Sequence, residues 1–89
     1  MRLGTCNICG KYGSVQGNHC VVHRAKGYEK YLNVPENMED VCHDCHGYPA
    51  HTHRHKVEFW YQQVERGYDM DAWWNSLPFE LTIGRKKPV

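Results

Sequence analysis

The chain holds no run approaching the roughly 18 consecutive apolar residues that a membrane-spanning helix requires, and no basic-apolar-small leader opens it. Membrane and secretory roles are set aside, and a cytoplasmic protein is expected. Repeats and low-complexity tracts are absent as well. An excess of one charge sign is also missing: eleven Lys and Arg against ten Asp and Glu leave a net +1, too little to announce a nucleic-acid partner by itself. Length is short too. At 89 residues the chain makes one domain, which buries only roughly 60% of the surface its unfolded form exposes. An apolar core of that size is marginal.

What the sequence has in excess is sulfur and imidazole. It carries five Cys and seven His, and every His lies between His19 and His55. An odd cysteine number without a leader argues against a disulfide framework, whereas Cys and His crowded into a small chain argue for metal. Four cysteines form two pairs, Cys6-x-x-Cys9 and Cys42-x-x-Cys45. A two-residue spacer lets both sulfurs of a pair point at one ion, and two pairs complete a tetrahedral four-thiolate shell for Zn²⁺. That shell leaves no position for water, so the zinc is expected to be structural, with a binding energy on the order of 10–16 kcal/mol coupled to folding. A redox dithiol pair or a disulfide is the rival reading. Thirty-two residues separate the inner cysteines, more than a minimal zinc ribbon needs, so something is displayed there. Cys20, standing alone, reads as a small buried hydrophobe.

Charge is unevenly spread. Residues 1–35 carry five basic side chains against Glu29 alone, and residues 36–89 carry six against nine acidic ones. A protein of this kind would meet phosphate through a local basic patch and a bound cation. Local patterns predict a tight knuckle over residues 5–10, a turn over 11–17 and a short strand over 19–23. Residues 24–36 read mostly as loop, and 37–41 as a second short strand or turn leading into the second knuckle. Val57, Trp60, Tyr61, Val64 and Tyr68 share one helical face, expected to pack in the core, with Gly67 disturbing the last turn. Asp69 or Asp71 caps a further short helix carrying Trp73, Trp74 and Leu77 and stopped before Pro78. Residues 84–89 read as a frayed basic tail after a single domain over 1–83.

Between and beside the cysteine pairs stand Asn18-His19, Asn37 and His46. The order Cys-x-x-Cys, Asn-His, Asn, Cys-x-x-Cys-His over residues 6–46 resembles the zinc-containing branch of the HNH (His-Me finger) endonucleases, including the phage recombination endonuclease VII type. The resemblance implies a small α+β fold, a ββα-metal finger stabilised by the four-cysteine zinc site, with C-terminal helices following. It implies His19 as the general base, Asn37 as the brace of the loop that positions it, and His46 as a ligand of one catalytic divalent cation (Mg²⁺, Mn²⁺ or Ni²⁺). Asn18 stands where relatives place a charged or imidazole ligand; an Asn carbonyl can bind a cation but brings no charge. His51 is the candidate extra ligand, one residue beyond the spacing many relatives show. His23, His43, His53 and His55 read as surface or locally hydrogen-bonded. Arg24 and Lys26 are candidate phosphate contacts, and Arg85, Lys86 and Lys87 could add to them.

The residue types suit the chemistry independently. Phosphodiester hydrolysis needs an in-line water, a base of near-neutral pKa, and a cation on the phosphate; histidine supplies the base. Adjacent strand residues face opposite ways, so Asn18 and His19 share a site only if the strand ends or twists there, which Gly17 permits. The expectation is a metal-dependent DNA endonuclease, nicking or structure-selective, with a phage or prophage role in recombination or packaging by analogy. A homodimer is one route by which so small a domain cuts both strands. Two other readings stay open: a non-catalytic zinc-ribbon module that binds nucleic acid or a partner, and a redox- or zinc-responsive adaptor using Trp60, Trp73 and Trp74 at an interface.

Overall fold

The computed structural model describes residues 2–89. Three antiparallel strands, β1 (Arg2–Thr5), β2 (Tyr12–His19) and β3 (Met38–Cys42), form one sheet in the order β1-β2-β3. Thr5 pairs with Tyr12, so the first cysteine knuckle is the turn of the β1–β2 hairpin. The Cys6 amide donates to the Lys11 carbonyl at 2.9 Å, and Gly10 takes φ 78°, a conformation that costs glycine least. β3 runs into the helical turn α2 (His43–His46), which carries the second knuckle. Single-turn α1 (Glu29–Leu32) interrupts the β2–β3 connection, and α3 (His53–Glu65), α4 (Met70–Ser76) and α5 (Phe79–Thr82) close the chain. This is a small α+β protein with a four-cysteine cluster, and among the described residues no helix is long and apolar enough to cross a membrane.

The strand expected over 19–23 and the turn expected over 11–17 exchange places. Residues 12–19 are the central strand although they include Gly13 and Gly17, because pairing on both edges outweighs poor local propensity. Cys20, Val21 and Val22 leave the ladder and sink into the larger core, where Asn37 supplies the hydrogen bonds a sheet would have given. β1 and α1 have no counterpart among the elements that local patterns predict.

The face expected of α3 is also corrected. Tyr61, Val64 and Tyr68 are 54%, 49% and 37% exposed, whereas His55, Phe59, Trp60 and Gln63 are buried. The helix turns two polar side chains inward, and apolar periodicity cannot see them. Thr52 caps its start by accepting from the His55 amide, and Gly67 at φ 97° ends it. Asp69 caps α4, accepting from the Ala72 amide at 3.0 Å, and a further turn, α5, buries Leu81. The basic C-terminal residues fold back: Arg85 donates to the Leu81 carbonyl and Lys87 pairs with Asp71.

Two cores result. The larger gathers Val21, Val22, Leu32, Phe59, Trp60, Met70, Trp73, Leu77 and Leu81, with Cys20. The smaller consists of Cys6, Val41 and Cys45, flanked by Ile8 and Cys42.

Candidate functional site

The hairpin turn and the β3–α2 junction bring Cys6, Cys9, Cys42 and Cys45 together, with all four sulfurs within 4.8 Å of one another. Cys9 Sγ and Cys42 Sγ lie 3.7 Å apart. Two sulfurs bound tetrahedrally to zinc at about 2.3 Å are about 3.8 Å apart, so the cluster fits the ion. Cys6 Sγ accepts the amides of Ile8 and Cys9. Burial would raise the Cys6 thiol, but backbone N–H groups of Cys9, Cys42 and Ile8 outweigh it and bring it down to about 6. Burial and the neighbouring thiols push Cys45 up to about 12. Zinc uptake would therefore expel protons.

Where β2 ends, a cleft of about 390 Å³ is lined by Asn18, His19, His23, Arg24, His46 and His51. The strand stops at His19, and the Cys20 amide turns to the Asn37 carbonyl at 2.8 Å. Asn18 and His19, still paired with Glu39 and Met38 in the ladder, both line this cleft. α2 delivers His46, and the 3-10 turn Pro49–His51 delivers His51 while burying Ala50 completely. α2 ends at His46 with Gly47 as its cap, and Pro49 opens the separate 3-10 turn, a first-turn position where its missing N–H costs nothing.

Asn37 is fully buried. Its Oδ1 accepts the Val21 and Val22 amides at 3.0 and 2.9 Å, and its Nδ2 donates to the Val22 and Leu32 carbonyls. One side chain thus holds the segment that leaves His19. His19 Nε2 lies 2.6 Å from Asn33 Oδ1. An amide oxygen only accepts, so in this contact Nε2 is the donor and Nδ1 is the ring nitrogen without this partner. Asn33 lies in a segment whose residues read as loop, and no motif marks it.

Asn18 is buried and its Nδ2 donates to Glu39 Oε2 at 2.9 Å. Glu39 is the centre of a network that spacing and composition do not reveal. It also accepts from Asn7 at 2.8 Å and from His55 Nε2 at 2.7 and 2.9 Å. Burial alone would raise this carboxyl, but the His55, Asn7 and Asn18 hydrogen bonds hold it below the usual range. The hydrogen bond to Glu39 raises His55 in turn. The Cys20 sulfur, a His55 nitrogen and a Glu39 oxygen lie within 4.8 Å of one another. Burial, then the Glu39 charge, keeps the Cys20 thiol protonated. Cys20 is buried in the larger core, as expected of a small hydrophobe, and its sulfur also lies beside the Glu39–His55 pair, a group that could hold a metal ion.

Arg24 reaches the cleft; Lys26 is exposed and outside its lining. A second, adjoining groove shares His23 and adds His53, Lys56, Trp74, Arg85 and Lys86. Comparison with protein-family models, with curated proteins and with solved structures finds no match.

Proposed function

We propose that this protein is a zinc-stabilised, metal-dependent DNA endonuclease of the HNH type, acting in the cytoplasm on phosphodiester bonds. In this reading β2, β3 and α2 are the strands and helix of a ββα-metal finger. The observation that carries it is the meeting of His19, His46, His51 and Arg24 in one cleft. His19 Nδ1 accepts the proton of the attacking water, with Asn33 as the residue positioning the ring. His46 and His51 are the imidazoles available to a divalent cation, with the Asn18 carboxamide at the cleft wall. A divalent cation held there would supply positive charge to the phosphate and to the 3′ oxygen as it departs. Water oxygen joins phosphorus as the bond to that oxygen breaks, leaving 5′-phosphate and 3′-hydroxyl ends. Arg24 on one side and Lys56, Arg85 and Lys86 on the other offer phosphate contacts along a continuous path.

The test is conversion of supercoiled plasmid by zinc-loaded protein, scanned over Mg²⁺, Mn²⁺, Co²⁺ and Ni²⁺. Metal-dependent nicking lost in both His19→Ala and His46→Ala is expected; wild type matching the variants in every metal overturns the reading. A second reading, a non-catalytic zinc ribbon that binds nucleic acid, is favoured by one observation: the Asn18 amide is engaged by Glu39. It predicts salt-sensitive DNA binding without cleavage. Of the three tryptophans an adaptor would use, Trp60 and Trp73 are buried and Trp74 is partly buried.

A further inference from the structure

We propose that Cys20, Glu39 and His55 form a second metal site, for a divalent ion such as Zn²⁺ or Co²⁺, that ties α3 to the sheet. Among the described residues, this is the one group besides the four cysteines in which three or more such side chains bring their ligand atoms within 4.8 Å of one another. Its members come from three places: the first residue beyond β2, the second residue of β3, and the first turn of α3. His55 Nε2 stands 2.7 and 2.9 Å from the two Glu39 oxygens. A nitrogen and an oxygen bound tetrahedrally to zinc at about 2.0–2.2 Å lie about 3.4 Å apart. The pair therefore opens by roughly 0.6 Å to admit an ion, a small side-chain adjustment.

The donor set suits its burial. Cys20, Glu39 and His55 are all buried. A thiolate and a carboxylate together cancel the double charge of the ion, and a neutral imidazole adds none. A buried site of zero net charge avoids the cost of an uncompensated ion. One sulfur, one nitrogen and one oxygen match zinc and cobalt, whereas Mg²⁺ keeps to oxygen. Outer partners are in place: Asn7 donates to Glu39 Oε1 and Asn18 to Oε2. They orient the carboxylate and leave it lone pairs for an ion. Asn7 and Glu39 also line a cavity of about 510 Å³, along with Asn33 and Arg66. That cavity gives the ion a way in, and gives water room at the fourth position that three protein ligands leave open. Without the ion, the Glu39–His55 hydrogen bonds hold this layer and the Cys20 thiol keeps its proton. Binding displaces the thiol proton and the one His55 shares with Glu39, so this site fills after the four-cysteine cluster.

The experiment is titration with Co²⁺ of protein already holding one zinc, followed by absorption, with zinc content measured after desalting. One further equivalent of Co²⁺ is expected, with a thiolate-to-cobalt charge-transfer band and the zinc retained. Cys20→Ala, which keeps a small apolar side chain in the core, should abolish that band. His55→Gln should weaken Co²⁺ binding roughly tenfold or more. Either variant, shown folded by circular dichroism, is sufficient. His46→Ala and His51→Ala should leave the band unchanged, because those imidazoles line the cleft at the end of β2. Uptake of no second ion overturns the proposal, as does a band that survives Cys20→Ala, undiminished affinity in His55→Gln, or a band lost in His46→Ala. The site does not depend on the nuclease reading. A Cys20-dependent band with no nicking in any metal supports the site and removes that reading, whereas nicking without such a band removes the site alone.

Discussion

The two cores of this molecule are made of different materials. At the hairpin end, Val41 packs with Cys6 and Cys45, and Val15, opposite Cys42 in the sheet, is buried as well. At the helical end, ten residues pack together, including Phe59, Trp60 and Trp73. The second core is held by apolar burial; the first has little apolar surface and four thiols that could hold an ion. Between them lies the Glu39 layer. Asn7 from the knuckle donates to Glu39 and to Gln62 of α3 at 3.0 Å, and Arg66 donates to Asn7 Oδ1. Polar side chains with fixed partners thus link the two cores.

The sharpest way to break this comparison is to withdraw the metal. Chelation of zinc, or Cys45→Ser, should remove on the order of 10 kcal/mol, comparable to the whole stability of a small domain. Circular dichroism should show global unfolding reversed by added zinc; an unchanged spectrum after complete zinc removal would show that the hairpin end holds itself. In the other core, Phe59→Ala empties a fully buried site and should cost about 3–5 kcal/mol. Urea unfolding of zinc-loaded protein measures it, and zinc content should stay at one equivalent.

The layer between the cores predicts a pH signature. Glu39 is lowered, so its contribution is present above the ordinary carboxylate value and is lost as pH falls through the lowered one. His55 is raised, so its contribution is complete below the ordinary imidazole value of 6.5 and is lost as pH rises through the raised one. The two overlap between 4.5 and 6.5. The Tm gap between wild type and His55→Gln should be widest in that window and narrow on the alkaline side. A gap that is constant across pH would mean the pair is not charged. The smallest effect is expected at Tyr61→Ala, which should change stability by less than about 0.5 kcal/mol because α3 turns this side chain to solvent. A loss of several times that would restore the face expected from apolar periodicity.

Much of the metal end is legible in the amino-acid sequence. The two Cys-x-x-Cys pairs carry their geometry in their spacing, and the Asn-His, Asn and His elements stand out by residue type. The rest is hidden there for definite reasons. His55 reads as surface or locally hydrogen-bonded, and nothing in the pattern points to Glu39, its partner 16 residues away. His23 reads as surface because nothing in its spacing links it to His51, 28 residues on. Asn33 sits in a stretch without periodicity, and β2 contains two glycines that disguise a central strand.

By itself the sequence determined which atoms were available for chemistry: four thiols at knuckle spacing, and imidazoles concentrated in the middle of the chain. Those are local properties, set by residue type and by spacings of a few residues. Only the tertiary structure decided which imidazoles share a cleft, which amide is tied to a carboxylate, and which face of α3 is buried. Each of those outcomes depends on contacts between residues far apart in sequence. There, packing and the need to pair every buried polar group overrule local preference.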